Sequence, residues 1–100
     1  MNRMDASPFA LLAMCTTRIR ELITVKALSE RGQKAMCSKV LKMPDWRLKN
    51  HYACARGFTM HELIHALCSA RDAEQDMKSA SDQMQSFVSW FLEVCKKESL

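Results

Sequence analysis

One hundred residues with 48% hydrophobic and 26% charged side chains can build one ordinary core, which excludes a disordered or fibrous chain. Two glycines, two prolines and two asparagines are too few turn formers for a sandwich or barrel, which needs a turn about every 8–12 residues, so all-β architectures are excluded. The net charge of +4 is uneven: residues 31–57 carry seven basic side chains against Asp45 alone, whereas residues 58–100 carry seven acidic against four basic.

Residues 1–7 read as a linker or added start, 8–97 as one helical domain and 98–100 as a tail. Ser7-Pro8 is a helix start, because Ser caps free N–H groups and Pro sits where no N–H is needed. The first helix is expected to run to about Arg31, with Gly32 as its stop. Phe9, Leu12, Cys15, Ile19, Leu22 and Ile23 form one apolar stripe at helical spacing, and Leu11, Met14 and Val25 form a second. A helix apolar on two sides is central in a bundle or touches another chain.

A short helix over 34–41 follows, with Ala35, Met36, Val40 and Leu41 apolar; Met43-Pro44 breaks it. Asp45 caps or begins the next helix, which runs to Arg56 with Trp46, Leu48, Tyr52, Ala53 and Ala55 as its apolar positions, and Gly57 ends it. Thr59-Met60-His61-Glu62 is a capping box, flanked by Phe58 and Leu63 as a hydrophobic staple. That helix is expected to reach Lys78, with Met60, Leu63, Leu67, Ala70 and Met77 on one stripe. The last helix, 82–97, is expected to bury Met84, Phe87, Val88, Phe91, Leu92 and Cys95, with Lys96 and Lys97 at its negative end. The fold class is therefore all-α, a five-helix bundle.

The five cysteines contain no C-x-x-C pair and fall in apolar helical patterns, so they read as small buried hydrophobes in a reducing cytoplasm. The longest apolar run, Phe9 to Cys15, is far short of the roughly 20 residues of a membrane span.

Three chemical readings compete. His61-Glu62-Leu63-Ile64-His65 matches H-E-x-x-H, in which two His one turn apart hold Zn²⁺ and the Glu activates water. Here both His lie opposite the apolar stripe, Glu62 belongs to the capping box, and no strand is readable to hold a substrate. His51 is a candidate third ligand without a defining spacing, so the match reads as coincidental and no metal or cofactor is expected. Residues 33–57 have the layout of a basic helix-turn-helix, with Arg47, Lys49 and Asn50 facing a groove and Lys39 and Lys42 on phosphates. Trp46, Leu48 and Tyr52 compete for that helix surface. No nucleophile–base arrangement and no glycine-rich phosphate loop can be read, so no small-molecule substrate is expected.

Leu11-Leu12-Ala13-Met14, Arg18-Ile19-Arg20 and Val25-Lys26-Ala27-Leu28 resemble the opening helix of the C-terminal domain of the bacterial DNA polymerase III delta subunit. Lys39-Val40-Leu41 and Met43-Pro44 lead to Ala55-Arg56-Gly57-Phe58-Thr59, which resembles the family's alanine-arginine-x-phenylalanine-serine/threonine junction. Residues 60–78, with Glu74 one turn before Lys78, are similar to the next helix, and the likeness is collinear from about Phe9 to Cys95. The sequence departs from the pattern at His61 and His65, where family members often carry acidic residues.

The resemblance implies the helical collar of a clamp loader, a non-enzymatic part of the DNA polymerase III holoenzyme, a nucleotidyltransferase. Its collar packs against the other loader subunits in a five-membered ring. Two N-terminal AAA+-type domains would precede it in a longer parent and would meet the sliding clamp and primer-template DNA. The family's clamp-contacting residues have no counterpart in this sequence. The expected subunit interface combines the second stripe of the first helix (Leu11, Met14, Val25) with the basic residues Lys39, Lys42, Arg47 and Lys49.

Overall fold

A computed structural model describes residues 7–95. Those residues form five α-helices and no strand: α1 (Pro8–Glu30), α2 (Cys37–Leu41), α3 (Asp45–Arg56), α4 (Met60–Ser79) and α5 (Gln83–Cys95). A 3₁₀ turn, Lys34–Met36, precedes α2, so the expected short helix divides in two. Residues 1–6 and 96–100 lie outside the described residues, and with them the expected roles of Lys96 and Lys97.

The helix ends follow local chemistry. Ser7 Oγ accepts the Ala10 N–H at 3.1 Å, while Pro8 occupies the first helical position. At the other end of α1, Gly32 takes φ +74°, a conformation that strains any residue with a Cβ. Gln33 N–H then donates to Leu28 O at 2.8 Å and Gly32 N–H to Ser29 O at 3.1 Å, a Schellman closure that satisfies two terminal carbonyls. Lys42, also left-handed at φ 56°, closes α2 with Met43 N–H bonded to Ser38 O. Asp45 begins α3 and makes no side-chain cap, because Pro44 holds the N-cap position. Gly57 ends α3 in a right-handed conformation. The capping box forms as read: Thr59 N–H donates to Glu62 Oε1 at 2.8 Å, and Glu62 N–H to Thr59 Oγ1 at 3.0 Å. Asp82 caps α5 by accepting the Gln85 N–H at 3.1 Å.

The described residues divide into two compact units. One comprises residues 17–65, the other the segments up to Thr16 and from Ala66 onward. In the 17–65 unit, Ile19, Leu22 and Val25 of α1, Cys37 of α2, Met43 just after it, and Leu48, His51 and Ala55 of α3 are buried. Positions 48, 51 and 55 follow helical spacing, so α3 turns that stripe inward. The face differs from the expected one. Trp46, assigned to the apolar side, is 71% exposed, and Ala35, Met36 and Val40 face solvent while Cys37 takes the buried place.

His51 is the buried polar residue. Its Nε2–H donates to Glu21 Oε1 at 2.8 Å, and its Nδ1 lies 3.4 Å from the Arg47 carbonyl. Arg18 Nε stands 3.7 Å from the same Glu21 oxygen. The Glu21 carboxylate thus gives the buried ring its short polar partner. His51, one candidate third ligand in the coincidental H-E-x-x-H reading, is instead bonded to Glu21.

In the other unit, Ala66, Ala70, Ala73 and Met77 of α4 and Phe87 and Trp90 of α5 are buried. Trp90 Nε1–H donates to Ser69 Oγ at 2.9 Å, which gives the buried indole its polar partner. Phe87 lies between Trp90 and Phe91, with ring centroids 6.1 and 5.9 Å away. The cysteine expectation holds only for Cys37; Cys15 is half-buried and Cys54, Cys68 and Cys95 are exposed.

Candidate interaction surfaces

α5 carries apolar side chains around far more of its circumference than it buries. Phe87 and Trp90 occupy the inner side, with Val94 half-buried beside them. Met84, Val88 and Phe91 are 41–42% exposed and Leu92 is 61% exposed. These four sit at i, i+4, i+7 and i+8, which is one face of a helix. The expected burial of Met84, Val88, Phe91, Leu92 and Cys95 is thus corrected: the sequence stripe is real, but the fold uses its edge, and the centre faces outward.

On α1, Met14 is 66% exposed and Leu11 half-buried, so both offer surface. Val25 does not. At 1% exposure it is part of the core of the 17–65 unit, and its inclusion in an interface is withdrawn. Its place on the second stripe misled, because that stripe turns inward farther along the helix.

Arg31, Lys34, Lys39, Lys42, Arg47, Lys49 and Arg56 are all exposed, and none is in an ion pair among the described residues. Trp46, at the start of α3, is exposed in the same segment. Lys34 Nζ lies 4.3 Å from the centre of the Tyr52 ring, a cation–π contact. Burial, and then a hydrogen bond shared with Cys37, hold the Tyr52 hydroxyl above its ordinary pKa, so it stays protonated at neutral pH.

His61 and His65 are exposed, with ring centroids 6.5 Å apart, and Glu62 is held in the capping box. Among the described residues no group of three or more His, Cys, Asp or Glu side chains is placed to hold a metal ion. No helix of the described residues is long and apolar enough to cross a membrane.

The family model for the C-terminal domain of the DNA polymerase III delta subunit matches residues 1–94. The chain belongs to that family. The match spans the capping box, the basic segment and the outward apolar face of α5, so all three lie within the delta-type domain. No curated protein and no solved structure matches the chain. The identity of this delta-type domain thus rests on the family match, and its geometry on the helices described above.

Proposed function

We propose that this chain is the collar domain of a clamp-loader delta subunit, a non-enzymatic assembly module that packs against the other loader subunits in DNA replication. The observation that carries the reading is the outward face of α5. Four large apolar side chains on one helix face remain 41–61% exposed, and contiguous exposed apolar surface marks a protein interface. Met14 adds a further exposed apolar side chain in the same unit. Family membership supplies the kind of partner, since a delta subunit works within a multi-subunit loader. The other expected partners, the sliding clamp and primer-template DNA, would be met by the parent protein outside this chain. Co-elution of the protein containing this chain with the remaining loader subunits tests the reading; elution as a separate species overturns it.

A second reading concerns the basic segment, and the exposed Trp46 favours it. Seven exposed cations in residues 31–56, none in an ion pair among the described residues, and an exposed indole in the same segment suit contact with nucleic acid through phosphate neutralisation and base stacking. A helix-turn-helix insertion fits less well, because Leu48 and His51 commit one side of α3 to the core. Binding of a short oligonucleotide, followed by Trp fluorescence, should weaken steeply with salt and fall on Trp46→Ala. No binding at low salt removes this reading.

A further inference from the structure

The 17–65 unit holds a half-open pocket of about 260 Å³ between the end of α1, the 3₁₀ turn and α3. That volume is below the range of about 300–1,000 Å³ typical of whole small-molecule ligands. It suits a single compact group. Its polar lining is Lys26, Ser29, Glu30, Lys34, Tyr52 and Arg56. We propose that this pocket binds a phosphate monoester group, held by Lys26, Lys34 and Arg56.

The alternative use for these cations is to neutralise helix C-termini, since α1 and α3 both end here, each with roughly half a negative charge. Three cations set against Glu30 and two such ends still leave about one positive charge over. Backbone N–H groups and Lys26 already serve these helix ends, which leaves Lys34 and Arg56 uncommitted to that role. Leu28 and Ser29 carbonyls accept backbone N–H groups in the Schellman closure. The Ala55 carbonyl accepts from Phe58 N–H at 3.3 Å and from Lys26 Nζ at 3.2 Å.

The cations are held in place for such a ligand. Bonded to Ala55, Lys26 keeps two ammonium protons for another acceptor. Lys34 is steadied over the Tyr52 ring. Arg56 makes no ion pair among the described residues, and its planar fork matches a phosphate bidentately. The Ser29 hydroxyl adds a neutral donor on the same wall. This pocket is distinct from the assembly face of α5 and does not depend on it.

The phosphate could be a free small molecule or the 5′ end of a nucleic acid, and the test separates the two. Amide chemical shifts of the chain are followed by NMR while inorganic phosphate is added, with chloride at matched ionic strength as control. The same titration is run with a dinucleotide bearing a 5′-phosphate and with its 5′-hydroxyl form. Saturable shifts at Ser29, Lys34 and Arg56 with phosphate but not chloride support the site. Shifts with the 5′-phosphorylated dinucleotide alone also support it and assign the source. Arg56→Gln and Lys34→Gln, both exposed, should each weaken binding at least about tenfold, with the rest of the spectrum unchanged. Equal responses to phosphate and chloride, equal responses to the two dinucleotides without any response to phosphate, or binding unaffected by both variants, overturns the proposal.

Discussion

Three side chains show how single residues hold this fold. Trp90 is 8% exposed and donates its indole N–H to Ser69. Ser69→Ala leaves that donor without its partner and should cost about 1 kcal/mol, read from urea unfolding. Buried His51, bonded to Glu21, is the second. His51→Ala opens a void and removes the short bond to Glu21, whose carboxylate keeps Arg18 beside it, so a loss of about 2 kcal/mol is expected; His51→Gln, which keeps a donor, should recover part of it. The third is Cys15. Burial, and then the neighbouring Cys95, hold its thiol above the ordinary value of 9.0. The folded state thus keeps its proton to higher pH than the unfolded chain, so this contribution to stability is full below about pH 9 and declines as pH rises through the raised value. Alkylation followed by mass spectrometry should label exposed Cys54, Cys68 and Cys95 first and Cys15 and Cys37 last. None of these three roles is legible in the sequence pattern. His51 completes the Leu48–His51–Ala55 spacing, but a polar ring in an apolar slot is invisible to a count of hydrophobic residues.

At the scale of elements, starts and stops are the most legible features, because they depend on a few adjacent residues. Ser7-Pro8, the Thr59–Glu62 box and Gly32 act as their chemistry dictates. Thr59→Ala should lower stability by about 1 kcal/mol, and Gly32→Ala by about 1–2 kcal/mol, although a Cβ at Gly32 meets no atom within 4 Å. Thermal unfolding of the two variants checks both, and a neutral Gly32→Ala would mean that the turn can leave its left-handed conformation without loss. Faces are less legible than ends. A stripe in sequence tells which residues are apolar, not which neighbour covers them. On α5 the pattern centres on Met84, Val88 and Phe91, whereas the fold buries Phe87 and Trp90, whose indole N–H reaches Ser69 of α4. On α1 the same limit puts Val25 outside when it lies in the core.

For the whole molecule, the all-α class follows from the shortage of turn formers, and the family from a collinear likeness rather than from one motif. The H-E-x-x-H string shows why motif and context must be read together: its two His face solvent and its Glu caps a helix. What composition could not reveal is that a chain of this size leaves so much of its last helix uncovered. That uncovered face is the centre of the proposed function, and the most direct test is Val88→Asp combined with Leu92→Asp in the protein that contains this chain. Both side chains are exposed, so circular dichroism and unfolding temperature should match the parent within about 2 °C. Affinity for the other clamp-loader subunits, measured by light scattering on the mixed proteins, should fall at least about thirtyfold, as expected when apolar residues near the centre of an interface become charged. Ser89→Asp, on the polar flank of α5, should leave it unchanged. A doubly substituted protein that is folded and still assembles with undiminished affinity would contradict the assignment of α5 as the assembly face.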